Sequence, residues 1–415
     1  MLKRGLIGQS AAKAFWAVLL GMICAVLAWV LKITAEGSER YLFRTIQDTS
    51  VWLLLITPLA AFLPIYFLAK KVFKSPLNGI REILTLLREP AMELKPVKAI
   101  IHFITGTLTI VFGGSTGIEV STVISSSAIG SWIGGQERFD ANFRRNLIIA
   151  GAGAGIAGLF GSPFAGIFFV LEVLMVTFSW ELIVLSVLAS FAAFAIRYSI
   201  DRENLFHPVL DGWKIQAIPF YLLFSLPAAF FSVILTKSVI HTKAFLSRRF
   251  SSIGKIWMGG IILGAMLLMA SPLYGEGYSF IDRLMSNDIP ATSYGIQGIF
   301  LLITLLLLKP LATSVTLASG GDGGIFAPSL FLGAVVGYLF SQSVNYLGGS
   351  VIEVNFIIAG MAAILSASLH APLTAAALTM SITGSYELLI PITLTSFLSS
   401  YLAKRIFPFT VYSYG

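Results

Sequence analysis

Apolar residues run through this chain in long blocks rather than at an alternating period. Ala14–Leu31 holds 18 residues without a charge, and Val51–Ala69 is a second uncharged run. Gln216–Thr236 and Trp257–Tyr274 are further clean stretches. Between them lie apolar segments broken by Gly, Pro and Ser, at 99–112, 121–134, 146–160, 163–179, 326–345, 352–369 and 371–383. A bilayer core of about 30 Å takes about 20 helical residues. The long runs therefore predict spanning helices, and the broken ones predict tilted or half-spanning helices. Irregular backbone at membrane depth survives only where protein buries it or where it lines an aqueous cavity. The pattern belongs to a transporter or channel rather than to an anchor.

Composition agrees: 56% of the 415 residues are hydrophobic, 12% are charged, and the mean hydropathy is +0.86. Soluble domains carry roughly 25% charged residues. The net charge of +8 reads as the Lys/Arg excess of cytoplasmic loops rather than as a nucleic-acid surface. Lys3, Arg4 and Lys13 precede the first run and Lys70, Lys71 and Lys74 follow the second. The segment between them balances Lys32, Arg40 and Arg44 against Glu36, Glu39 and Asp48. Basic outer flanks around a neutral middle predict an in–out–in pair with a cytoplasmic N-terminus, retained rather than cleaved as a signal peptide. The lone Cys24 and four scattered histidines give no disulfide framework and no metal site. No Walker motif, dinucleotide fingerprint or nucleophile elbow occurs, so we expect no cofactor, no ATP-driven step and no enzyme.

Gly113-Gly114-Ser115-Thr116-Gly117-Ile118-Glu119 matches Gly320-Gly321-Asp322-Gly323-Gly324-Ile325-Phe326 at an offset of 207 residues. Gly161-Ser162-Pro163-Phe164-Ala165 resembles His370-Ala371-Pro372-Leu373-Thr374 at an offset of 209. Two weak matches at nearly one offset predict two related halves. We place them at about 1–200 and 216–415, joined by a polar linker at about 201–215. Each matched element is a glycine-rich turn running into an apolar helix. First-turn N–H groups lack partners inside their helix, and the dipole there is positive. Two such ends converging at mid-membrane would hold an anion without a fixed cation. Neither 113–122 nor 320–329 contains a lysine or arginine.

At these residues the chain resembles the CLC family of chloride channels and chloride/proton exchangers, from about residue 75 to the end. Lys309-Pro310-Leu311-Ala312-Thr313, running into Gly320–Leu330, looks like the GxFxP region in which backbone amides hold the central anion. Gly155–Glu172, Gly275-Glu276-Gly277-Tyr278, His370–Thr374 and Val411-Tyr412-Ser413 are also similar. The resemblance implies an all-α polytopic membrane protein of two inverted halves, with about 17 or 18 helices of uneven length. It further implies a homodimer in a prokaryotic-type plasma membrane, both termini cytoplasmic, without cytoplasmic CBS domains.

By the same resemblance, Ile325 and Phe326 offer amides and Tyr412 a hydroxyl to the anion. Without it, Tyr412 reads as an interfacial belt tyrosine. Leu77-Asn78-Gly79-Ile80-Arg81 is similar to the family's GSGIP motif, which makes Asn78 and Gly79 anion-binding positions. Asn78 stands where serine is usual, and its amide adds both a donor and an acceptor. Glu119, 41 residues on, stands at the gating glutamate of a GREGP-like motif whose arginine, second glycine and proline are absent here. An ionisable group at membrane depth is a functional candidate in its own right. Its expected role is to occupy the anion path while ionised and to withdraw when protonated. The internal proton glutamate of exchangers falls on Val173. Glu172 beside it points about 100° away on a helix and reads first as a buried structural acid, second as a proton carrier. Chloride is the expected ion, with protons as the possible coupling partner. Fluoride or nitrate is the alternative within the family, and an organic-substrate carrier the alternative outside it.

Overall fold

The computed structural model describes residues 2–73, 77, 79–87, 93–136, 139–175, 179–286 and 296–414. Sixteen α-helices lie among the described residues, where the sequence predicts about 17 or 18. The first eight are α1 (Leu2–Thr49), α2 (Thr57–Leu68), α3 (Ile80–Leu86), α4 (Val97–Val111), α5 (Glu119–Gly134), α6 (Ala141–Phe160), α7 (Pro163–Glu172) and α8 (Trp180–Ile200). The rest are α9 (Ile218–Arg249), α10 (Ser252–Met269), α11 (Tyr278–Met285), α12 (Ile296–Ala318), α13 (Phe326–Tyr346), α14 (Glu353–Leu369), α15 (Pro372–Thr383) and α16 (Leu389–Ile406). Val51–Leu55, Ile215–Ala217, Ser271–Leu273 and Tyr386–Leu388 form short 3-10 segments beside them.

Among the described residues, seven helical stretches are long and apolar enough to cross a bilayer, from Ser10–Thr49 to Phe326–Tyr346. α4, α7, α14 and α15 are apolar but shorter, 10 to 17 residues each. The protein is therefore a multi-pass membrane protein with the partial spans that its broken stretches predict. α1 departs from the pattern. It continues unbroken through the charged segment after Leu31, because that segment lacks proline and carries good helix formers. Arg40 folds back onto the Glu36 carbonyl at 3.2 Å, one turn earlier.

By packing, the chain forms two compact units. One comprises Met1–Ile33, Asn78–Ile104 and Glu119–Leu205; the other comprises Thr34–Leu77, Thr105–Ile118 and Phe206–Gly415. In the first, α6 packs on α5, α7 and α8. Its core alternates small and large side chains: Ala17, Leu20 and Ala25 of α1, Phe143, Leu147, Ala150, Ala154 and Ala157 of α6, and Ala189 and Ala193 of α8. Lipid is as apolar as leucine, so helices associate in a membrane by close packing rather than by hydrophobic burial. The AGAGAGIAG run of α6 meets that requirement. A Cβ on Gly158 would stand 2.8 Å from the Ala25 Cα.

In the second unit α14 packs on α13, α15 and α16, and α9 packs on α12, α14 and α16. Tyr221 of α9 lies flat on Phe356 of α14, ring centroids 4.4 Å apart. Both halves of the sequence repeat run through the same succession: a glycine turn, a long helix, a second helix ending left-handed, a proline-opened short helix and a final helix. α6 ends at Gly161 (φ 63) as α14 ends at His370 (φ 57). Pro163 then opens α7 as Pro372 opens α15, where proline's missing N–H costs nothing.

Candidate functional site

The two glycine turns of the repeat meet inside the second compact unit. One follows α4 through Gly113 (φ 88), the other follows α12 through Gly320 (φ 102). Both values lie where glycine is favoured over any L side chain. The Gly114 N–H donates to the Thr109 carbonyl at 2.7 Å, and the Gly321 N–H to the Thr316 carbonyl at 3.0 Å. Gly117 and Gly324 then exchange backbone hydrogen bonds of 3.3 and 3.1 Å as an isolated antiparallel bridge. The Ser115 N–H donates to Thr316 Oγ1 at 3.1 Å, and the Asp322 N–H to Thr109 Oγ1 at 2.9 Å. At an offset of 207, Thr109, Ser115 and Gly117 map onto Thr316, Asp322 and Gly324. Each contact thus has its mate with the two turns exchanged, which is a local twofold written in hydrogen bonds.

The second turn opens α13 directly. Ile325, Phe326, Ala327, Pro328 and Ser329 are all buried, and no side chain caps the helix. Its first-turn N–H groups point N-terminally with the positive end of the helix dipole, so the geometry suits an anion. Tyr412 lies in the closing turn of the chain, half-buried. That turn is held by Thr410, whose Oγ1 accepts the N–H groups of Tyr412 at 3.3 Å and Ser413 at 3.1 Å.

In the first unit Glu119 is the first residue of α5 and is fully buried, and the next nine residues of that helix are buried too. Gly79 (φ 59, ψ −149) immediately precedes α3, and a Cβ on it would stand 3.2 Å from Val120 Cγ1. The fold therefore brings Gly79 beside the start of α5. Asn78 lies outside the described residues. Val173 is buried and caps α7, its N–H on the Phe169 carbonyl at 3.0 Å. Glu172 ends α7 half-buried, not buried as the sequence suggests. α7 ends at Glu172, so no further turn of that helix follows to cover the acid.

Several polar residues stand inside the motifs with no role read from the sequence. Asp322 is buried in the glycine turn and accepts a hydrogen bond from Thr105 Oγ1 at 2.5 Å on Oδ2. Thr116 Oγ1 donates to the Gly324 carbonyl at 2.7 Å. Glu276 is buried and accepts the Ile118 N–H on Oε1 at 3.1 Å. Lys309 is buried in α12. The one signal for the last two was a charge standing alone in an apolar or glycine-rich run.

Residues 61–404 match the family described as voltage gated chloride channel. The chain is 28% identical over 413 residues to a protein of Citrobacter koseri named H(+)/Cl(-) exchange transporter ClcA, covering 94% of this chain and 84% of that one. It is 29% identical over 366 residues to the protein of the same name from Vibrio parahaemolyticus, covering 83% and 75%. Among solved structures, a slow cyanobacterial Cl−/H+ antiporter superposes with a TM-score of 0.83 at 21% identity, covering 96% of both chains. A CLC-type fluoride/proton antiporter gives 0.81 at 20% identity, covering 97% of both. The fold is thus shared with these structures, and the chain belongs to the CLC family of voltage-gated chloride channels.

Proposed function

We propose that this chain carries chloride across a membrane by the CLC route, exchanging it for protons as the relatives named ClcA do, with Glu119 as the acid that links the two ions. The observation that carries the reading is a fully buried carboxylate as the first residue of α5, directly after a turn bonded to the one that opens α13. Ionised, Glu119 is itself an anion at a helix N-terminus and competes with chloride for the same kind of N–H partner. Protonated, it loses that attraction and yields. In this reading Gly79, Ile325 and Phe326 offer backbone amides, Asn78 its side-chain amide and Tyr412 its hydroxyl. Dipoles without a full positive charge bind chloride strongly enough to strip its water and weakly enough to release it.

Val173 carries no proton, so coupling would need another inner route. Glu172, half-buried at the end of α7, is the acid beside it. The working assembly is a homodimer in the plasma membrane with both termini cytoplasmic. A second reading makes the ion fluoride or nitrate; it rests on Asn78, whose donor and acceptor replace a serine hydroxyl.

The test uses purified protein in liposomes, a chloride gradient, and voltage clamped so that proton movement must run uphill. Internal alkalinisation or acidification against the proton gradient, stoichiometric with chloride flux, is the expected result. Chloride flux without proton movement would sink the coupling, and no chloride flux with fluoride flux would replace the ion. Glu119→Gln should flatten the dependence of flux on pH in the same vesicles.

A further inference from the structure

The residues Tyr274–Gly277 belong to no helix but clasp the turn that leads into Glu119 at both ends. At its start, Tyr274 Oη donates to the Val111 carbonyl at 2.5 Å, where α4 stops. The Tyr274 ring also closes on Gly113, where a Cβ would stand 2.9 Å from it. At its end, Glu276 Oε1 accepts the Ile118 N–H at 3.1 Å, one peptide before Glu119. Glu276 is 2% exposed, so its charge is out of water and must be met inside the protein.

Lys309, itself fully buried, interacts with Glu276 electrostatically. The Lys309 Nζ reaches the carbonyls of Gly275 at 3.3 Å and Glu276 at 3.5 Å. It lies 4.7 Å from the centre of the Phe331 ring of α13, a cation–π contact. The carboxylate of Glu39, on α1, lies against Gly275, where a Cβ would stand, and it interacts with Lys309. Glu36 and Arg40 of α1 are the further charged groups acting on Glu39. Gly275 (φ 61) and Gly277 (φ 83) flank Glu276 and let the lysine and the second acid approach. The cluster therefore gathers two acids, Glu276 and Glu39, around one lysine.

We propose that Glu276, held by Lys309, is a positioning residue for Glu119: its carboxylate fixes the peptide that delivers the gate and sets the charge that the gate experiences. The inference rests on Glu119 acting as proposed above. A negative charge close to an acid disfavours the acid's own ionisation, and a positive one favours it. A buried neighbour therefore shifts the pH at which the gate yields, whereas a merely structural contact changes only amount or rate.

The experiment measures chloride flux against pH in liposomes for four proteins: the parent, Glu119→Gln, Glu276→Gln and Lys309→Met. Glu276→Gln keeps an acceptor for the Ile118 N–H and removes the charge. Its profile should move toward lower pH by about half a unit or more, and that of Lys309→Met toward higher pH by a similar amount. Adding Glu276→Gln to Glu119→Gln should change nothing further, since the gate it acts through is gone. A parent-like profile for Glu276→Gln beside a flattened one for Glu119→Gln overturns the positioning role alone. A parent-like profile for Glu119→Gln overturns the gate itself, and the inference falls with it. Should Lys309→Met fail to assemble, the isosteric Glu276→Gln still decides.

Discussion

Asp322 occupies the position that Ser115 holds in the other turn, so a charge breaks the local twofold at one point. That carboxylate is buried 3% exposed beside the N-terminus of α13, with Thr105 Oγ1 donating to it at 2.5 Å. Hydrogen bonds to charged groups contribute about 1.5–3 kcal/mol, more than neutral ones. Thr105→Val keeps the shape of the side chain and withdraws that donor. We expect it to lower stability in detergent by about 2 kcal/mol, read as a drop in thermal unfolding midpoint; an unchanged midpoint would show that Asp322 does not depend on Thr105. Asp201, past the end of α8, gives a pH-dependent counterpart outside the membrane spans. Burial works against its ionisation, but the Glu203 N–H at 3.0 Å and the Arg197 guanidinium at 2.8 Å outweigh that and hold its carboxyl below the ordinary value. A depressed folded-state value means stability that is present above the unfolded value, about 3.9, and lost as pH falls through the folded one. Unfolding midpoints measured from pH 6 to pH 3 should fall more steeply in the parent than in Asp201→Asn. At position 78, Asn78→Ser tests the ion: an anion ranking identical to the parent's would remove asparagine from the selectivity argument.

At the scale of elements, the paired turns make a symmetric prediction. Thr109→Val strands the Asp322 N–H and Thr316→Val strands the Ser115 N–H, both in buried surroundings. Each should cost about 1–3 kcal/mol, the two alike because the contacts are alike. The double variant should depart from additivity, since both bonds brace one pair of turns; unequal costs or clean additivity in thermal unfolding would mean that the turns are held separately. These turns were legible in the sequence because their geometry demands particular residue types. Positive φ at Gly113 and Gly320 calls for glycine, and helix entry after a left-handed cap calls for Pro163 and Pro372. Repeated demands leave a repeated sequence. What was not legible is whatever depends on a distant partner. Ile118 and Glu276 are 158 residues apart, and nothing near either announces the bond. The length of α1 was hidden for a different reason: its charged stretch reads as a connection by hydropathy, yet its residues are good helix formers. Glu172 was misjudged because membrane depth was inferred from the run around it, and the helix ends at that residue.

At the scale of the whole molecule, charge placement makes a prediction about which ends face the cytoplasm. α1 carries Lys3 and Arg4 near its start and Asp48 near its end. α9 runs the other way in charge: Ile218 and Pro219 open it, and Lys237, Lys243, Arg248 and Arg249 gather toward its end. α16 likewise closes on Lys404 and Arg405. Lysine and arginine are retained on the cytoplasmic side, so α1 should start there while α9 and α16 should finish there, as inverted halves require. The protein offers a clean way to check, because its only cysteine, Cys24, is buried. Gln47 near the end of α1 and Ser252 at the start of α10 are both exposed. In intact cells a membrane-impermeant maleimide should label Gln47→Cys at once and Ser252→Cys only after permeabilisation, with the parent unlabelled throughout. Labelling of both positions from one side would place the ends of α1 and α9 on the same face of the membrane and break the inversion. Labelling with the sides exchanged would keep the inversion and turn the protein over, and the basic residues would then have to owe their places to partners within the protein rather than to the membrane.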